Sequence, residues 1–166
     1  MSTWSIPQTT TGTERLLLDS MLDRNRTELI NTARGLSEED ARARLVESMT
    51  TPIGLLKHAA TAERIWFHHL LGGLSPEECD GGTTGGDPSF LVADSQTLAD
   101  VITEFETVSS LSRTIAAKFD LDETRTHPHI GEVNLRFIYL LAIEDFARHA
   151  GHGDILREQL TQSARR

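Results

Sequence analysis

Four stretches of the chain repeat apolar residues at three- and four-residue intervals, the spacing that keeps them on one side of an α-helix. Leu16, Leu17, Met21, Leu22, Leu29 and Ile30 mark the first, over 12–34, with Gly35 as its stop. The Thr11 to Glu14 segment before them has the hydroxyl and carboxylate of a capping box. The second stretch, 51–71, opens at Thr51-Pro52, a hydroxyl cap followed by a proline whose missing N–H does no harm there, and closes at Gly72-Gly73. Leu98, Val101, Ile102, Phe105, Val108, Leu111, Ile115 and Phe119 define the third, over 95–119, with Asp94 or Ser95 as its cap. The fourth, 132–162, contains no proline. Ser37 to Asp40 predicts a short extra helical turn between the first two.

This pattern predicts an all-α protein, a four-helix bundle forming one domain over 1–166. The segment 73–93 holds five of the twelve glycines and is long for a connection inside a domain. Its length suits a crossover that lets the second and third helices run parallel, and it is expected to be the least ordered part and to border the mouth of any site. Its GGTTGG lacks the Lys-Ser/Thr pair of a phosphate loop. Residues 124–130, with His127 and His129 flanking Pro128, read as a solvated loop.

Composition narrows the function. Aromatic residues are only 5% of the chain, and a net charge of −9 argues against a nucleic-acid or anionic-membrane surface. A small-molecule or protein partner is expected. The first residues show no secretory pattern, and no apolar run approaches the length of a membrane span, so a cytoplasmic protein is expected. Cys79 is the single cysteine, which excludes an intramolecular disulfide; in the polar SPEECDGG it is expected to be an exposed, unreactive thiol.

The candidate chemistry lies on the fourth helix. Ile138, Leu141, Asp145, His149, His152 and Leu156 fall within about 40° of one line at helical spacing. A carboxylate and two imidazoles on a core-facing stripe each cost several kcal/mol in order of magnitude unless partnered, and a metal ion would partner them together. His58 stands alone on the apolar face of the second helix, shared with Leu55, Ala62, Ile65 and His69. His69 lies roughly 16 Å further along the axis and cannot serve the same small site. His58, Asp145 and His149 would leave positions open on a zinc, iron or nickel ion, as catalytic sites do. His152 is a candidate acid/base group. Other readings stay open: His58 as a core histidine bonded to backbone or hydroxyl, Asp145 as a partner of Arg148 or Arg136, and His149 as the imidazolium partner of Asp145. Glu144 points about 100° away and reads as solvated, and Trp4, Trp66, Phe67 and Tyr139 read as packing.

The pairing of TPIGLLKHAATAERIWF (51–67) with LRFIYLLAIEDFARHAGHGDILRE (135–158) resembles the DinB superfamily, in the branch related to mycothiol-dependent maleylpyruvate isomerases and thiol S-transferases. The resemblance implies an up-down-down-up four-helix bundle, commonly a homodimer, with a divalent metal near one end. It maps the ligands onto His58, Asp145 and His149. Many members carry histidine where Asp145 stands, and the isomerases carry glutamate, one methylene longer. The activity implied is a metal-dependent transfer of a low-molecular-weight thiol, mycothiol or bacillithiol, to a small electrophile, with hydrolysis second. The alternatives are a non-catalytic, stress-related binding protein with a vestigial or absent metal site, and a purely structural helical dimer.

Overall fold

Helix starts in this chain are set by short hydroxyl side chains. Thr13 accepts a hydrogen bond from the Leu16 amide, Thr51 from Gly54, and Thr97 from Asp100. Each satisfies an amide that the first turn leaves without a partner. The structure, a computed structural model, describes residues 9–163, so Trp4 lies outside the described residues. Its elements are α1 (Glu14–Ala33), α2 (Glu38–Arg42), α3 (Pro52–Glu63), α4 (Leu98–Ala116), strands β1 (Thr124–His127) and β2 (Gly131–Asn134), and α5 (Leu135–Ser163). Past Glu63, α3 continues without a break as a π-helical segment, Arg64–Leu71, in which the Gly72 amide reaches back five residues to the Phe67 carbonyl.

The protein is mostly helical, and the predicted elements recur with corrections at their ends and in the connections. The cap of α1 is Thr13 rather than Thr11, and α4 begins after Thr97, where Thr97 and Asp100 form a full capping box two residues past the expected cap. The third helix also ends at Ala116, short of Phe119, and Leu111 on its expected apolar stripe is 42% exposed. Residues 124–134 form an antiparallel hairpin instead of a loop and a helix start, pairing Thr124 with Asn134 and His127 with Gly131. Four-residue polar strands carry no apolar alternation, so periodicity passes over them. Gly131, at φ +81°, supplies the left-handed residue the reversal needs. Finally, Cys79 is buried rather than exposed, and burial pushes its thiol up.

The core joins α1 to α5 and α3 to α4, with α3 also meeting α1 and α5. Leu22, Leu29, Leu55, Leu56, Phe67, Phe105, Ile138 and Phe146 fill it. α1 and α5 approach so closely that a Cβ on Gly153 would sit 2.4 Å from Thr32 Oγ1. Just beyond, Arg157 donates to the carbonyls of Thr32 and Arg34, closing the C-terminal end of α1.

Three helices are tied by a buried ion pair. Arg26 of α1 makes two bonds to Glu63 of α3, at 2.7 and 2.9 Å, and Ser109 of α4 donates to the same carboxylate at 2.9 Å. Among the described residues, no helix is long and apolar enough to cross a membrane.

Candidate metal centre

The buried stripe of α5 runs through Leu135, Ile138, Tyr139, Ala142, Phe146, Ala150 and Leu156, about one residue away from the predicted line. Asp145 and His149 therefore sit at its margin rather than its centre. Their side chains are 23% and 12% exposed, and that of His58 on α3 is 18% exposed. This position lowers the desolvation cost that the sequence implied, while keeping the three groups out of bulk water.

The three side chains converge. Asp145 Oδ1 lies 3.3 Å from His149 Nε2, and Asp145 Oδ2 lies 3.5 Å from His58 Nε2. One ligand atom from each residue falls within 4.8 Å of the other two. These N···O separations exceed the usual hydrogen-bond range of about 2.7–3.2 Å. Each imidazole faces a different oxygen of the carboxylate, which therefore stands between the two rings. Burial disfavours charge on Asp145, but the imidazoles of His149 and His58 outweigh it and hold the carboxyl well below the usual carboxylate range.

The connection between α3 and α4 completes the site. A short 3-10 turn, Asp87–Phe90, brings Ser89 Oγ to 2.7 Å from His58 Nδ1 and lays the Phe90 ring flat on the imidazole, 4.3 Å away and 6° from parallel. Ser89 Oγ also lies 2.5 Å from the Gly86 carbonyl, which can only accept. The hydroxyl proton goes there, so Ser89 accepts the Nδ1–H of His58. A neutral His58 then presents a bare lone pair at Nε2 to a carboxylate oxygen. Two acceptors face each other unless a proton or a cation lies between them. His149 Nδ1 is buried and has no hydrogen-bond partner among the described residues, so the protein itself leaves that ring incompletely satisfied.

Of the open readings, the pairing of Asp145 with arginine is excluded: Arg148 binds Glu144, and Arg136 binds Glu14 and Asp122. Glu144, expected to be solvated, is exposed and paired within its own helix. His152 lies outside the convergent set; it is exposed, with its ring 5.5 Å from that of His149. His69 is remote, donating to the Leu74 carbonyl. His68, which the expected face of the second helix omitted, is buried between the Val108 carbonyl and Ser112. His127 is not simply solvated: it stacks on Trp66 at 5.1 Å. Ser89 and Phe90 escaped the sequence reading because nothing in their own neighbourhood marks them. Only a proline-led turn in a glycine-rich loop hints that the backbone there is fixed.

A cavity of about 250 Å³ adjoins the site, with His58, Asp145 and Trp66 among the residues that line it. A family model described as mycothiol-S-transferase matches residues 17–162, most of the chain. No curated protein matches it.

Proposed function

Because the chain belongs to the mycothiol S-transferase family, we propose that it is a metal-dependent enzyme that transfers a low-molecular-weight thiol, mycothiol or bacillithiol, to a small electrophile. The observation that carries this reading is the convergence of His58, Asp145 and His149, with the His58 lone pair fixed toward Asp145 by Ser89. Two imidazole nitrogens and one carboxylate oxygen suit zinc best, and nickel or iron also. Three protein donors leave room for a further ligand. A divalent ion held there supplies the acidity that keeps a bound thiol deprotonated at neutral pH.

The protein's own groups do the rest. As a carboxylate, Asp145 supplies the negative charge that two neutral imidazole ligands lack. Ser89 and Phe90 fix the His58 ring in position and orientation. His152, beside His149 and open to solvent, is the acid/base group that carries the thiol proton away to water. The thiolate sulfur then forms a bond to the electrophilic carbon, and the leaving group departs with its electron pair. The reading places α1, α3, α4 and α5 in an up-down-down-up bundle, supported by the packing of α1 on α5 and α3 on α4. It also carries a cytoplasmic homodimer, for which the exposed Phe137 and Leu140 on the outer side of α5 offer an apolar surface.

The test is direct. Protein stripped with a chelator is expected to regain thiol conjugation of a generic electrophile on addition of Zn²⁺, Ni²⁺ or Fe²⁺, and His58→Ala is expected to abolish both metal retention and turnover. Turnover that persists at full rate without metal overturns the mechanism.

A further inference from the structure

The cavity beside the three convergent residues is apolar almost throughout, and that constrains what shares the site with the thiol. Its apolar lining includes Ala62, Ile65, Trp66, Leu141, Ala142 and Phe146, and His58 and Asp145 line it as well. Glu63 also reaches it, but both of its oxygens are taken by Arg26, and Ser109 adds a third bond. A sugar-bearing or otherwise polyhydroxylated thiol would lose its hydrogen bonds to water here without replacement. The thiol's polar body therefore belongs outside the cavity, and the other reactant inside it.

Resting on the thiol-transfer reading, the geometry points to a compact, apolar, preferably aromatic electrophile of about ten non-hydrogen atoms as the second substrate, with Ala62 and Ala142 setting its size limit. The size follows from comparison with a dry cavity of about 150 Å³ that accommodates benzene; the volume here is about 250 Å³. Apart from Gly85, Ala62 and Ala142 are the smallest residues of the lining, on α3 and α5 respectively, so any larger residue at either position takes up ligand space. Trp66 offers the ring face. Its indole stacks with His127 of β1 at 5.1 Å and 14° and meets Phe137 edge-on at 6.2 Å. A ring held by two aromatic neighbours is a fixed wall rather than a mobile side chain. In the reaction, an aryl-methyl halide seated here would gain an S–C bond to the thiolate and lose halide with its bonding pair, while the thiol proton leaves to water.

The experiment has one arm that needs neither metal nor thiol. Chelator-treated protein is titrated with naphthalene by calorimetry, and Ala62→Phe and Ile65→Ala are compared with the parent. Saturable one-to-one binding is expected, weakened at least tenfold in Ala62→Phe, while Ile65→Ala, which enlarges the space, binds anthracene at least tenfold more tightly than the parent does. In the second arm, the metal-loaded protein is given a naphthylmethyl halide and iodoacetamide as competing electrophiles. Ala62→Phe is expected to cut the rate with the aromatic halide at least tenfold more than with iodoacetamide. Absence of saturable binding in the parent, or identical binding in all three proteins, overturns the inference even if thiol transfer is intact. Binding with the expected size dependence in a protein that transfers no thiol refutes the proposed function but upholds the cavity as an apolar ligand site.

Discussion

Ser89 Oγ stands 2.7 Å from His58 Nδ1, and the same hydroxyl donates to the Gly86 carbonyl. One serine, thirty-one residues along the chain, thereby decides which nitrogen of His58 is free to bind. Ser89→Ala removes that constraint without touching a donor atom. Metal affinity is expected to fall by about 10–100-fold, the usual cost of losing a partner behind a ligating histidine. Competition with a fluorescent chelator measures it; unchanged affinity would show that Phe90 stacking alone holds the ring.

His152 is adjacent to the convergent residues and is not one of them. His152→Asn is expected to retain one metal per chain by elemental analysis while thiol transfer falls by about 10²–10⁴, the range typical for loss of an acid/base group. Equal loss of metal and turnover would instead make it a ligand.

Acid stability should fall in two stages, a histidine stage set by His68 and a carboxylate stage in which Glu104 is joined by Asp23 and Asp145, all of them partly buried with lowered pKa values. Burial drives the His68 pKa below its ordinary 6.5, although the Val108 carbonyl and the charge of Glu63 oppose this. The unfolded chain then takes up this proton first, so the contribution is complete above pH 6.5 and is lost as pH falls from there toward the folded value. Burial opposes charge on Glu104, but Lys57 and Arg64 outweigh it and lower its pKa below the ordinary 4.5. Its contribution is present above pH 4.5 and disappears as pH falls through the lower folded value. In urea titrations at stepped pH, His68→Gln is expected to remove the decline that starts near 6.5 and to leave the second stage in place.

Glu63 has a fully buried side chain and is bonded twice by Arg26, itself only 6% exposed. Glu63→Ala leaves Asp23, 2.6 Å away and 44% exposed, as the remaining carboxylate partner of that guanidinium, and is expected to cost up to about 3–5 kcal/mol, read as a fall in the urea midpoint. The double change Arg26→Met with Glu63→Leu is expected to recover most of it, because two apolar side chains need no counter-charge.

Much of this was legible from spacing alone. Thr51-Pro52 announces its helix, and the four-residue step from Asp145 to His149 places both on one side of α5, where His149 Nε2 lies 3.3 Å from the Asp145 carboxylate. His58 was singled out as the lone imidazole on an apolar stripe. Spacing resolves faces only to within about a residue, however, and the true buried stripe of α5 lies one position over. The Arg26–Glu63–Ser109 network was invisible for a related reason. A glutamate in an Ala-rich helix looks solvated until the arginine that neutralises it, thirty-seven residues earlier, is seen in place. The hairpin and the Ser89 turn depend on contacts between distant segments, which no local window contains.

The wide turns of Arg64–Leu71 carry more residues per turn than an α-helix does. That slack makes the segment asymmetric toward changes in length. Loss of one residue there can be absorbed by tightening into ordinary α geometry, whereas gain of one has nowhere to go between Gly72, pressed against Ile115, and the anchored Glu63. Across sequences of this family, length variation in this helix should therefore run toward shortening.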